Sequence, residues 1–404
     1  MCKVVAIIAE YNPFHNGHEH QIDAIRAHFG EDTAVIAIMS GNYTQRAETA
    51  FADKLLRAAA AVDCGVNLVL ELPFPFSSSS AELFASAGVS IANKLGVVDY
   101  LSFGSELGNC DALSEIARNM LSREFTSALH TAIAEKEYDG LGYPALVEAI
   151  YKKCFSYKGE SFTTPNNILA LEYIKALIKS NSSIKPHTVK REGADYNLTT
   201  LTFGLLPSAT AIRSELSNGE LSALDFVPDL AKERYLEAIE NGEAPTDYER
   251  ISPAIISFFR LNSSSDKQIQ DAEGGLYNRL SRLSLRTSSI TSLTELALTK
   301  KYTAARIRRA ILFSYLGVTS SDVRNEPCYT QVLAMDSLGK RLLKEVKKSG
   351  RIEVLTKPSA TERLNGAALM QKQLADAADS VFQLTKPREV DGAYHITFTP
   401  YVKR

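Results

Sequence analysis

His15 and His18, spaced as His-x-Gly-His around Gly17, are the residues best equipped for chemistry in this chain of 404 residues. They stand just after an apolar run, Lys3 to Ala9, and at the head of an amphipathic stretch, His18 to Phe29. The order is therefore strand, short loop, helix. A helix start exposes backbone N–H groups and a partial positive charge, which suits a phosphate. Gly17 carries no Cβ and lets the backbone come close to that phosphate. Two imidazoles beside it can donate to charge that builds on phosphorus. A His-x-x-His pair can also begin a metal site, but neither a Glu-x-x-His companion nor a cysteine pair accompanies this one, and no protein-bound metal is expected. The reading is a nucleotide-handling enzyme.

A second element begins at Ser208. Ser208 is placed to cap a helix, Thr210 to donate in its first turn, and Arg213 lies on the same face. Alone, this is a capped surface helix. Paired with the upstream histidines, it is a second helix start able to hold a triphosphate, with Arg213 ready for the leaving pyrophosphate. Three further loops carry polar residues: Ser40 to Arg46 followed by Asp53, Lys54 and Arg57; Glu71 to Pro75; and Phe103 to Glu106. Loops at the carboxyl edge of a parallel sheet converge on one crevice. Gly41 and Gly104 permit close backbone approach there, and Arg46, Lys54 and Arg57 supply charge to balance phosphates.

These residues need a frame to bring them together. Apolar runs at Lys3–Ala9, Ala34–Met39, Val66–Leu70 and Val97–Phe103 precede helical patterns at 18–29, 50–63, 79–95 and 109–122. Gly30, Gly65 and Gly96 fall where helices should end. Such alternation predicts an α/β fold, a doubly wound, Rossmann-like parallel sheet with right-handed crossovers. Helices at 124–137 and 143–155 belong to a helical insertion spanning about 109–180, and a fifth strand near His187–Arg191 returns to the sheet. From Glu220 the pattern turns helical, punctuated by Pro228, Pro245 and Pro253, with a hairpin near 352–356 and 393–402 as the exception. The expected domains are a nucleotide-binding catalytic unit at 1–220 and a mostly helical, basic unit at 221–404.

Composition sets the setting. With 45% hydrophobic and 23% charged residues the chain is of ordinary soluble type, and no apolar run approaches a membrane span or a signal peptide. Cys2, Cys64, Cys110, Cys154 and Cys328 are scattered and read as reduced thiols in a cytoplasm. The net charge of −2 hides an asymmetry: residues 276–351 hold fifteen Lys or Arg against five Asp or Glu, +10, which leaves −12 elsewhere. By itself such a segment is a solvated helical face, but beside a nucleotide site it suits a polyanion.

His15 to His18 together with Ser208 to Arg213 resembles the HIGH-type nucleotidyltransferase superfamily. The longer blocks are narrower. Ala9 to His18, Met39 to Asn42, Gln45 with Arg46, Phe103 to Glu106, Pro165 to Leu169 and Ser208 to Arg213 resemble the bacterial tRNA(Met) cytidine acetate ligase family. The resemblance runs from the first strand to about residue 220 and more loosely through Lys300 to Arg309. It implies that ATP activates acetate as acetyl-adenylate. The acetyl group then passes to the N4 amine of the wobble cytidine, position 34, of elongator tRNA(Met), giving N4-acetylcytidine.

The resemblance implies ATP contacts at Ile7, Ile8, Ala9, Glu10, Tyr11, Asn12, Pro13, Phe14, His15, Asn16, Gly17, His18, Glu19 and His20, and then at Gly104, Asn166, Asn167 and Arg191. Ser208 and Thr210 join them, with His15, His18 and Arg213 in the catalytic roles. Mg²⁺ is expected on the nucleotide itself, since no carboxylate cluster stands out. The basic segment becomes a tRNA surface with Lys300, Lys301, Arg306, Arg308 and Arg309 at its centre. Arg279, Arg282, Arg286, Lys340, Arg341, Lys344, Lys347 and Lys348 extend it, and Tyr302 is either a base-stacking or a core aromatic. One departure stands out. Where the family reads Gln-Arg-Gly-Glu-Pro, this chain has Ala47 and Thr49, and Ala takes a positive φ less cheaply, so a differently shaped loop is expected. Two alternatives remain: an adenylyltransferase of a small phosphorylated metabolite or cofactor, disfavoured by the long basic half, and a non-catalytic RNA-binding scaffold, which needs neither histidine nor Arg213.

Overall fold

The computed structural model describes residues 2–135, 138, 140–191, 207–264, 268–389, 392–393 and 398–404. Strands β1 (Val4–Ala9), β2 (Ala34–Ser40), β3 (Leu68–Leu72) and β4 (Tyr100–Ser105) alternate with helices α1 (Asn16–Phe29), α2 (Lys54–Asp63) and α3 (Ala81–Leu95). Helices α4 (Cys110–Met120), α5 (Arg123–Glu135), α6 (Tyr143–Phe155) and α7 (Pro165–Lys179) then precede β5 (Lys185–Lys190). All neighbours among these five strands run parallel, in the order β5-β4-β1-β2-β3. Alternation within each strand explains the double winding. Val4, Ala6 and Ile8 face one core with Ile36, Leu101 and Phe103, while Val5 and Ile7 face the other with Val35, Met39 and Ile22. A strand buried on both faces is expected to be apolar, and β1 is throughout while β2 is up to its last residue, Ser40.

Several element starts differ from the sequence expectation by a few residues, and capping explains those of α1 and α2. Helix α1 begins at Asn16 because His15 is its cap, and α2 begins at Lys54 because Asp53 accepts a hydrogen bond from the Leu55 N–H. At the other end, Gly96 closes α3 in the left-handed conformation.

The second half departs further. After α8 (Ala209–Ser217), α9 (Asp229–Glu240), α10 (Ser252–Leu261), α11 (Leu276–Ser284), α12 (Ile290–Ala297) and α13 (Ala304–Leu316), the chain returns to the sheet. Strand β6 (Tyr329–Met335) pairs antiparallel with β3. Helix α14 (Ser337–Ser349), β7 (Glu353–Leu355), α15 (Gly366–Gln383) and β8 (Tyr401–Val402) complete the order. The expected hairpin is replaced by two separate short strands, β7 and β8, each parallel to β6; residues 394–397 of that expectation lie outside the described residues. The sheet is thus mostly parallel, and both halves of the chain build it. Helices α10 to α13 and α15 enclose a core of their own, which reaches Tyr43, Ala47 and Phe74 beside the sheet edge.

Candidate active site

The two histidines form the cap of α1. His15 Nδ1 accepts the Gly17 N–H at 3.0 Å, and His18 Nδ1 accepts the His15 N–H at 3.2 Å. This is a reciprocal capping box, with imidazoles where Ser and Glu usually stand. A nitrogen that accepts carries no proton, so each neutral ring holds its proton on Nε2. The rings pack 3.9 Å apart, and Tyr11 lies edge-on to His18 at 4.9 Å. Burial, with the charges of Arg191 and Arg213, holds His15 down to about 3, and burial, His15 and Arg191 hold His18 well below the usual range. Both are therefore neutral Nε2–H donors at neutral pH. Gly17 has a reason beyond phosphate approach: a Cβ there would meet His15 Cε1 at 2.8 Å, so glycine makes room for the capping ring.

A cavity of about 170 Å³ opens over these rings. Ile7, Ile8, Ala9, Glu10, Tyr11, Asn12, His15 and His18 line it from β1 and its loop, and Gly104, Asn166 and Arg191 from β4, α7 and the end of β5. Ser208, Thr210 and Arg213 line it from α8. Ser208 caps α8 as expected, accepting the Ala211 N–H at 3.1 Å. Arg213 Nη1 donates to the Asn12 carbonyl at 2.7 Å, and its Nη2 to Thr210 Oγ1 at 3.3 Å, which ties the second helix start to the first loop. Gly104 lies against Arg191, whose Cγ would sit 3.2 Å from a Cβ at that position.

Other expected contacts fall outside the cavity wall. Phe14 is buried in the core and donates its N–H to the Tyr235 hydroxyl of α9 at 3.0 Å. Pro13, Asn16, Gly17 and Glu19 are not part of the cavity lining, and His20 is exposed. Asn167 is fully buried, and its Oδ1 accepts the N–H groups of Glu106 and Leu107, so it shapes the loop after β4. Asn166 faces the cavity and donates to Glu106 Oε1 at 2.7 Å.

Two cations assigned to phosphate have structural work instead. Lys54 is buried between Glu71 at 2.7 Å and Asp379 at 2.5 Å. Arg57 is fully buried and donates to the carbonyls of Glu10, Ser40, Gly41 and Ala52. A guanidinium spread over four carbonyls stitches loops together and cannot also serve a ligand. Arg46 alone of that trio lines the cavity. Ala47 stands in the same loop. It adopts φ 57°, a left-handed conformation that costs a non-glycine residue about 1–2 kcal/mol.

Gln21 was missed from the sequence. It lines the cavity, and its buried Nε2 has no hydrogen-bond partner among the described residues. Its signal was the helical period, since it lies three residues after His18 on the same face. Phe84, Phe103, Leu169 and Tyr173 also line the cavity without a polar signature to reveal them.

The basic segment divides. Lys300 is exposed, as are Arg282, Arg286 and the five α14 cations from Lys340 to Lys348. Lys301 donates to the Gly274 carbonyl, and Arg279 to the carbonyls that end α12. Arg306 reaches the Asp271 carbonyl and Glu273. Arg308 pairs with Glu48 at 2.8 Å, which lies in the loop of Arg46. Arg309 is buried against Asp271 at 2.7 Å, leaving it no face for a polyanion. Tyr302 is buried with its hydroxyl on the Gly274 carbonyl, a core aromatic.

Comparison with known proteins accords with this geometry. A family model described as HIGH Nucleotidyl Transferase matches residues 2–393. The tRNA(Met) cytidine acetate ligase of Acetivibrio thermocellus is 35% identical over 374 residues, covering 88% of each chain. That of Caldanaerobacter subterraneus is 36% identical over 364 residues, again covering 88% of both. The crystal structure of Thermotoga maritima TmcAL bound with alpha-thio ATP superposes with a TM-score of 0.88 at 29% identity over 99% of both chains. The apo form gives 0.90. The chain belongs to the tRNA(Met) cytidine acetate ligase family of HIGH nucleotidyl transferases.

Proposed function

We propose that this protein is an ATP-dependent ligase that forms N4-acetylcytidine at position 34 of elongator tRNA(Met). The observation that carries the chemistry is the pair of neutral imidazoles whose Nε2–H groups belong to a cavity closed on one side by Arg213. In the first step an acetate oxygen attacks the α-phosphorus of ATP in line, an O–P bond forms, and the bond to pyrophosphate breaks. His15 and His18 donate to the α-phosphate oxygens as charge grows there, and Arg213 with Ser208 and Thr210 holds the departing β- and γ-phosphates. Gln21 offers one further N–H to the phosphates. Among the described residues Glu10 is the carboxylate lining this cavity, and it accepts the Gln45 N–H at 2.8 Å, so a Mg²⁺ would be held mainly by the triphosphate and would neutralise its charge. In the second step the cytidine amine attacks the acyl carbon, its C–O bond to AMP breaks, and the amine nitrogen loses a proton. The base must leave its stack to reach the cavity.

Residues 1–220 supply the adenylating site in this reading, and 221–404 the tRNA surface, although the two parts share one sheet. Lys300, Lys301, Arg306 and Arg308 are the assigned tRNA contacts, with the exposed α14 cations extending them. No helix among the described residues is long and apolar enough to cross a membrane, and the free cysteines suit a cytoplasmic tRNA enzyme. The test is exchange of labelled pyrophosphate into ATP. Acetate-dependent exchange, together with ATP-dependent acetylation of tRNA(Met), is the expected result. Exchange that ignores acetate but requires a phosphorylated metabolite would overturn the proposal.

A further inference from the structure

We infer that Glu10 is the general base of the second step, taking the proton that the cytidine amine sheds as it attacks the acyl carbon. The inference rests on the ligase reading above and assigns a role that the two histidines cannot fill. An exocyclic amine on a pyrimidine shares its lone pair with the ring, so its attack is helped by a base that removes a proton as the N–C bond forms. Each imidazole of the site already spends its Nδ1 lone pair, His15 on the Gly17 N–H and His18 on the His15 N–H. A ring in that state has only its Nε2–H left to offer, and it donates without accepting. Protonating Nδ1 would open the capping box, and burial holds His15 down to about 3 in keeping with this.

The other lining residues narrow the choice. Arg46, Arg191 and Arg213 are cations and cannot take a proton. Burial pushes the Tyr11 and Tyr173 hydroxyls above the usual phenol range, so both keep their protons. Ser208 Oγ accepts the Ala211 N–H, and Thr210 Oγ1 accepts from Arg213. The amides of Asn12, Gln21, Gln45 and Asn166 are not bases at neutral pH. Glu10 is the one carboxylate that lines the cavity among the described residues. It is held from two directions: Arg57 donates to its carbonyl, and the Gln45 N–H donates to its Oε1 at 2.8 Å. Among the described residues its Oε2 has no hydrogen-bond partner, which leaves that oxygen for a ligand.

Glu10 also stands where the acceptor base must arrive. Its partner Gln45 lies in the turn from Thr44 to Glu48, which is closed by the Thr44 N–H on the Glu48 carbonyl at 3.0 Å. Glu48, at the far end of that turn, pairs with Arg308 of α13 at 2.8 Å. One short turn therefore joins the carboxylate in the cavity to a cation assigned to tRNA. A base splayed out from a phosphate near Arg308 enters past this turn, beside Glu10. The N4 nitrogen then bonds to the acyl carbon, and the C–O bond to AMP breaks with its electron pair going to the phosphate oxygen. One N4 proton passes to Glu10, which returns it to water when AMP and the acetylated base depart.

The experiment compares acetate-dependent pyrophosphate exchange, acetohydroxamate formed with hydroxylamine, and acetyl transfer to saturating tRNA(Met), all with the full-length protein. Exchange and hydroxamate report acetyl-adenylate formation, because hydroxylamine is nucleophilic enough to need no base. Glu10→Gln keeps a carbonyl oxygen for the Gln45 N–H, so it removes the basicity and leaves the anchor of the loop. In this variant the ratio of transfer to exchange should fall about 10²–10⁴-fold, the usual worth of a general base, while the ratio of hydroxamate to exchange holds. Glu10→Asp, a carboxylate one methylene shorter, should recover part of the transfer. Transfer and exchange that fall by one common factor would place Glu10 in nucleotide binding and overturn the inference. A transfer-to-exchange ratio equal to that of the unmodified protein would also overturn it, leaving the AMP phosphate to take the proton. Absence of acetate-dependent exchange in the unmodified protein sinks the ligase reading and this inference with it, an outcome read before any variant is made.

Discussion

Arg308 and Arg309 are neighbours on one helix, yet removing each is expected to fail a different assay. Arg309→Ala takes the cation from Asp271, and the two side chains are only 10% and 14% exposed. Removing one partner of a buried pair costs about 3–5 kcal/mol, and the residual exposure argues for the lower end, about 3 kcal/mol. Asp271 has no easy retreat, since it holds φ 63° and its carbonyl is also claimed by Arg306. An unfolding entropy of about 2.1 cal/mol/K per residue, roughly 0.85 kcal/mol/K over the chain, converts that loss into about 3–4 °C in Tm. Arg308 and Glu48 are 32% and 36% exposed, and such a pair is worth about 0–1 kcal/mol, under about 1 °C. Arg308→Ala should instead weaken tRNA binding and flatten the salt dependence of log K by about one unit of slope. Scanning calorimetry and tRNA binding at several salt concentrations read both quantities. An Arg309→Ala protein that melts with the unmodified one and loses only tRNA would refute this reasoning, as would an Arg308→Ala protein that melts several degrees low.

Stability should fall in acid because of the histidine cap. His15 is held down to about 3 when folded and sits near 6.5 when unfolded, so below about 6.5 the unfolded chain takes up a proton that the folded one refuses. The stabilisation present above 6.5 is therefore lost progressively toward 3. Urea midpoints measured from pH 7.5 to 5 should drop more steeply for the unmodified protein than for His15→Asn, and equal slopes would contradict the assignment. Lys54→Met strands two carboxylates in the interior and should cost about 3–5 kcal/mol. Adding Asp379→Asn should recover part of that loss in urea titrations; a double variant no more stable than the single one would show that the cluster is not coupled.

What could be read from the sequence was whatever rests on local rules. Apolar runs gave β1 to β4 within about three residues at each end, and Ser208 announced α8 through its cap. His15 and His18 were recognisable as chemistry, but their role as a cap required knowing where the rings point. Strand β6 was not legible because Thr330 and Gln331 interrupt its apolar run. Both are buried, and the Thr330 hydroxyl donates to the Glu71 carbonyl, a partner 259 residues away. Lys54, Arg57 and Arg309 misled for one reason: a cation's sequence neighbours do not reveal whether distant carboxylates or carbonyls have already claimed it. Ala47 shows the converse, since tertiary packing imposed the left-handed conformation that its residue type resists.

The bond between Lys54 and Asp379 also sets a clock. The two residues are 325 positions apart, and at about 5–20 residues per second roughly 16–65 s of synthesis separates their appearance. During that interval the His-x-Gly-His loop and its strand exist, but Lys54 has one carboxylate, Glu71, and Asn42 lacks the Asp379 oxygen to which its amide donates at 2.8 Å. Tyr235, which receives the Phe14 N–H, also arrives late. A chain still on the ribosome therefore carries the adenylating residues without the packing that fixes their loops. Competence to activate an acid is therefore expected only after the helix that brings Asp379 has docked.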